Sequence, residues 1–171
     1  MNPMEPSRSR PNPLRLFLLL PPRLFLLSLL LLLPSCNQSK TEPYTPGLGE
    51  IMTLIQMRHA KLWFAGTAKN WPLASYERKE LREGFADVLH FHPTHQGSPV
   101  SLAEVTPTLI DPPLAQLKKA IASKDSSAFP PAFDALTQAC NACHQATAFA
   151  YNLVQRRQTN SFSNQDFHLP K

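Results

Sequence analysis

The 171-residue chain has no run of basic residues longer than two, no uninterrupted apolar run of membrane-spanning length, and only five glycines against 18 prolines. Its three cysteines leave no second pair, and no segment alternates apolar and polar residues over a strand's length. Each lack excludes something. A chain this short holds at most one ordinary domain with appendages, so a multidomain machine is out. Without period-two patterning it is not a sheet protein. The net charge of +5 points to nucleic acid or a membrane only until its location is considered. Residues 1–35 hold Arg8, Arg10, Arg15 and Arg23 with the single acid Glu5; without them the 17 basic and 12 acidic residues fall to 13 and 11, a balance of +2. Nucleic acid is therefore discounted as a partner.

What is present starts at the N-terminus. Leu24 to Leu33 reads LFLLSLLLLL behind a basic, acid-poor stretch, the pattern of an export-signal h-region. A spanning helix needs about 20 apolar residues, and extension toward Leu16 runs into Pro21, Pro22 and Arg23. An uncleaved anchor is the alternative. The run ends in Leu33-Pro34-Ser35-Cys36, which resembles the lipobox of bacterial lipoproteins, although Pro34 departs from the usual pattern. That resemblance implies a lipidated Cys36 and a protein tethered on the periplasmic side of a bacterial membrane, since a multi-chain lipid anchor holds where a single chain is marginal. The alternative is an ordinary cleaved signal, a free thiol and a soluble periplasmic protein. Residues 37–49, NQSKTEPYTPGLG, are polar and rich in proline and glycine, and read as a tether. The expected organisation is a signal at 1–35, a tether at 36–49, a helical domain at 50–155 and a tail at 156–171.

The remaining cysteines stand in the string Cys140-Asn141-Ala142-Cys143-His144. C-x-x-C-H is the attachment signature of c-type haem: two thiols add to the porphyrin vinyl groups and the adjacent histidine reaches the iron. On a helix, positions i and i+3 share a side, so both sulfurs meet one edge of the macrocycle. A thioredoxin-like dithiol needs a strand–helix setting and gains nothing from the histidine. A structural zinc site needs a fourth ligand and usually a second paired motif. A disulfide across four residues closes with strain. The expected cofactor is one covalent haem c held by Cys140, Cys143 and His144.

The rest of the domain reads as helices divided by prolines. From Glu50 to about Ala68, Met52, Ile55, His59, Leu62, Trp63 and Gly66 recur at three- and four-residue spacing, which puts His59 on the apolar face. Asn70-Trp71-Pro72 breaks that helix, and a second carries Leu81, Phe85, Val88, Leu89 and His92 to a stop at His92-Pro93. Residues 93–111 read as a loop with a turn or two of helix, Ser101 and Glu104 standing at capping-box spacing. Asp111-Pro112-Pro113 starts a third helix to about Lys124, and a last helix runs from about Pro131 to Leu153. In that last stripe Thr147 is the one polar member, with a hydroxyl able to bond a carbonyl one turn back.

Four helices with this motif on the last resemble cytochrome c′ and related antiparallel four-helix-bundle cytochromes. The strings HAKLWFAG, NWPLASYE, CNACH and FSNQDF resemble more closely a small family of exported bacterial haem-motif proteins of unsettled function. The resemblance implies His144 as proximal ligand and a first-helix side chain over the distal face, where His59 is the candidate ligand or pocket residue. Met52 shares its face two turns away, and Met57 points about 200° round the helix. His90, His92 and His95 diverge and suit a helix C-terminus, with His92 an alternative distal ligand. The chain departs from cytochrome c′ in the 27 residues after His144, where Phe162, Phe167 and His168 cover the haem edge or hang loose. The leading expectation is a monohaem electron carrier serving redox partner proteins. A pentacoordinate haem protein binding NO or CO is the second, and a small peroxidase the last. Homodimerisation is implied by analogy alone.

Overall fold

The structure is a computed structural model and describes residues 42–170. The expected export signal, Cys36 and the tether as far as residue 41 lie outside the described residues. Four α-helices follow: α1 Leu48–Thr67, α2 Trp71–Phe91, α3 Leu102–Ala122 and α4 Phe129–Ala146. No strand occurs among the described residues. The fold is all-α with four helices, each packed on the next along the chain.

The apolar stripe of α1 buries Ile51, Ile55, His59 and Leu62, and the helix begins at Leu48 rather than Glu50. It ends where Lys69 turns left-handed at φ 57°, and Asn70 then caps α2 by accepting the Leu73 N–H at 3.2 Å. Pro72 follows in the first turn of α2, where a missing N–H leaves nothing unpaired. On α2 the buried residues are Ala74, Glu77, Leu81, Phe85 and Val88. Glu77 is the surprise, a carboxylate only 1% exposed. Burial pushes its pKa up, and the Arg58 guanidinium at 3.2 Å pulls it partly back. Arg58 also reaches Glu80 at 3.1 Å, so it spans two successive turns of α2.

The third helix begins at Leu102, not at Asp111, and runs straight through Pro107, Pro112 and Pro113. Each proline removes the bond to the carbonyl four residues back, a loss of about 3 kcal/mol in an isolated helix. Burial outweighs this. Leu102, Thr106, Ile110, Leu114, Leu117 and Ile121 form one continuous buried stripe, and each large apolar member contributes roughly 1.5–3 kcal/mol. The capping box does not form: the Ser101 hydroxyl donates to the Pro93 carbonyl at 3.1 Å and closes the preceding loop instead.

The last helix also differs from expectation, ending at Ala146 rather than Leu153. Ala148 adopts φ 67°, and the Phe149 N–H bonds back to the His144 carbonyl at 2.7 Å. This left-handed exit turns residues 147–154 back along α4. Thr147 is buried and donates to the Cys143 carbonyl at 2.8 Å. Part of the tail is held against the helices. Phe167 is buried and its ring lies 5.4 Å from that of Phe64, while the Asn70 amide donates to the His168 carbonyl at 3.3 Å.

The core is aromatic where α1, α2 and α4 meet. Phe129 and Phe133 are fully buried, with Trp63 tilted against Phe133 at 5.1 Å and Trp71 edge-on to Phe129 at 6.0 Å. Gly66 leaves the space that the Phe129 ring fills.

Candidate functional site

Cys140, Cys143, His144 and His59 line one cavity of about 390 Å3, within the roughly 300–1,000 Å3 typical of cofactor and ligand pockets. All four helices contribute walls: Met52, Ile55 and His59 from α1, Phe85 from α2, Thr106 and Ile110 from α3, and the motif from α4. Tyr151 to Val154, the segment returning along α4, close another side.

The motif splits into two pairs by helical geometry. Cys140 and Cys143, three residues apart, share the face turned to the core, and both are buried free thiols. Asn141 and His144 form the second pair, about 100° round the helix, and face the returning segment. Sequence spacing makes the first pair visible; the second emerges only once the chain turns at Ala148.

Electrostatics separate this site from a dithiol exchanger. Burial, with Cys143 as a smaller contributor, pushes the Cys140 thiol up to about 12. Burial raises Cys143 as well, and a hydrogen bond with Thr106 opposes the rise. An exchange cysteine needs the reverse, a thiolate stabilised near neutral pH. Among the described residues no three His, Cys, Asp or Glu side chains converge as metal ligands. Sulfurs and imidazole are spread along the wall of a chamber whose lining mixes Ile55, Phe85 and Ile110 with Thr53, Gln56 and Thr106.

His144 is half-buried, and its Nδ1 bonds the Asn152 carbonyl at 2.5 Å. A carbonyl can only accept, so Nδ1 carries a proton, and in the neutral ring Nε2 then holds the lone pair. This is the tautomer of metal-ligating histidines, whose other nitrogen donates to a carbonyl or carboxylate. The carbonyl partner belongs to the backbone, and no side-chain pattern announces it.

His59 is 3% exposed and stands between the main cavity and a smaller one of about 110 Å3. Its Nε2 lies 2.9 Å from the Thr137 hydroxyl, which itself donates to the Phe133 carbonyl at 3.1 Å. With the Thr137 proton so used, His59 donates through Nε2. The ring also packs on Phe133 at 4.4 Å, and burial holds its pKa down to about 4. Met52 lines the cavity and Met57 does not. The His90, His92 and His95 trio diverges: His92 bonds the Pro46 carbonyl at 2.8 Å, His90 packs on Phe91 and His95 on Phe149. No protein-family model, no curated protein and no solved structure matches this chain.

Proposed function

We propose that this protein is an exported monohaem c-type cytochrome that carries single electrons on the periplasmic side of a bacterial membrane. The observation behind this reading is one chamber that receives both sulfurs of C-x-x-C-H and the adjacent imidazole. The residues fit the group. Cys140 and Cys143 would hold it through thioethers, and His144 would offer Nε2 to the iron because Nδ1 is committed to Asn152. Met52, Ile55, Phe85 and Ile110 supply the apolar walls such a group needs. A haem bound here supplies one-electron exchange at its iron.

An antiparallel bundle of the cytochrome c′ kind, with the motif on the last helix, is the architecture that goes with this reading. Export rests on the leucine-rich segment, and anchoring on Cys36, which together imply redox partners at the membrane or in the periplasm. No helix of the described residues is long and apolar enough to cross a membrane.

One observation favours a second reading. His59 spends Nε2, the nitrogen histidines usually offer to haem iron, on Thr137. If that bond persists with haem in place, the sixth position stays open to NO or CO. The test is His144→Ala in the exported protein: loss of the haem absorption bands supports the assignment, and full incorporation with an unchanged spectrum overturns it. Response of the unsubstituted reduced protein to CO separates the two readings.

A further inference from the structure

We infer that Asn141, the first unspecified residue of the C-x-x-C-H string, is a positioning residue that sets the hydrogen bond to His144. This inference rests on the haem reading above.

The side chain of Asn141 makes two bonds to one backbone position. Its amide donates to the Val154 carbonyl at 2.9 Å, and its carbonyl oxygen accepts the Val154 N–H at 2.8 Å. That paired arrangement copies the way one strand holds another, and it fixes the returning segment in both register and distance. Two residues earlier on that segment, the Asn152 carbonyl accepts the Nδ1 proton of His144. Asn141 and His144 sit three apart on α4, on the same side of the helix. The segment is thus pinned by α4 beside the imidazole that it orients.

The segment needs such a pin. Tyr151, Asn152 and Leu153 are exposed, so apolar burial does little to hold the Asn152 carbonyl in place. Arg156 provides a second attachment further on, stacked over Trp63 at 4.5 Å and paired with Asp134 at 3.2 Å. It lies beyond Val154, so between the turn closed by the Asn152 N–H on the Phe149 carbonyl at 2.9 Å and Arg156 the side-chain clamp on the segment is that of Asn141. Besides the His144–Asn152 bond itself and the helix-exit bond of Phe149, Asn141 is the motif residue that ties the segment down, and it does so with two bonds.

The consequence is electronic. A firm Nδ1–H···O=C bond makes Nε2 a stronger donor and favours the oxidised metal. Loosening the carbonyl weakens that donation and makes reduction easier. Asn141→Ala removes both bonds to Val154, whereas Asn141→Asp keeps the acceptor and loses the donor. Their effects should therefore be graded.

The experiment measures covalent haem content and midpoint potential on the full exported chain, unsubstituted and with Asn141→Ala, Asn141→Asp and Arg156→Ala. The expected result is retained haem in all four, with the reduction equilibrium of Asn141→Ala shifted about tenfold toward the ferrous state, about 59 mV for one electron. Asn141→Asp should fall between, and Arg156→Ala should move little. Unchanged potentials in the haem-loaded Asn141 variants overturn the inference while leaving the haem reading intact. A shift in Arg156→Ala as large as in Asn141→Ala also overturns it, because any loosening of the segment would then suffice. If Asn141→Ala fails to accumulate, Asn141→Asp against the unsubstituted chain decides alone. Absence of haem from the unsubstituted chain overturns both readings together.

Discussion

The ring of Phe129 occupies the space a side chain at Gly66 would need: a β-carbon there would lie 2.0 Å from the Phe129 Cζ and 2.2 Å from Cε1. Neither partner can yield, because Phe129 is 1% exposed and sits among Trp63, Trp71 and Phe133. Gly66→Ala should therefore destabilise the fold by about 3 kcal/mol, the upper end of overpacking penalties, read as a lowered denaturation midpoint in urea. Adding Phe129→Leu should restore part of the loss. An unchanged midpoint for Gly66→Ala would show that the ring moves freely.

How much of this was legible beforehand varies by element. The junction of α1 and α2 could be read because Asn70 and Pro72 carry capping chemistry in their side chains. The first half of α3 could not, since Pro107 reads as part of a loop and Pro112-Pro113 as a helix start, while the buried stripe from Leu102 to Leu114 overrides both signals. Glu77 was hidden for a similar reason: its charge predicts an exposed face, and only the fold brings Arg58 to it. At the site, the spacing of Cys140 and Cys143 and the apolar position of His59 marked residues that do share a cavity. The partners of the two histidines were not readable. Asn152 acts through its backbone, Thr137 lies 78 positions from His59, and the helix exit rests on an alanine in a conformation that normally signals glycine.

Three helices end on a residue in the left-handed region, and none is glycine: Lys69, Lys124 and Ala148 have φ of 57°, 53° and 67°. That conformation costs an L-residue roughly 1–2 kcal/mol, against roughly 0.5–1 kcal/mol for the extra flexibility of glycine. Lys69→Gly and Lys124→Gly should each stabilise the protein by about 0.5–1 kcal/mol in chemical denaturation. Equal or lower stability for both would refute this.

His59 makes stability depend on pH. Its folded pKa of about 4 lies below the ordinary 6.5 because burial disfavours the charged form. Between those values the unfolded chain binds a proton that the folded chain refuses. The contribution is complete above about pH 6.5, declines by about 1.4 kcal/mol per unit as pH falls toward 4, and is flat below. A group filling the cavity excludes further water and keeps the sign. The difference between unsubstituted protein and His59→Gln should follow that curve, and parallel stability profiles would contradict it.

Thr137 supplies the acceptor that makes a buried neutral His59 tolerable. Thr137→Val keeps the shape and strands the Nε2–H, so a loss of about 1–3 kcal/mol is expected in urea unfolding. No loss would mean that the imidazole finds another partner.

Anchoring at Cys36 is tested by fractionation. Cys36→Ser should move the protein from the membrane to the soluble periplasmic fraction and abolish palmitate labelling. Continued membrane association of a chain that never takes up palmitate would point instead to an uncleaved apolar segment.

The central claim is covalent attachment of haem at Cys140 and Cys143. It is tested most directly by exporting the protein in a host that matures c-type cytochromes, extracting it with acid–acetone, and recording the reduced absorption spectrum of the precipitated polypeptide. The account predicts that haem stays with the chain at one per molecule and is lost when both cysteines are replaced by serine. Haem recovered in the solvent, or a colourless protein, would contradict it.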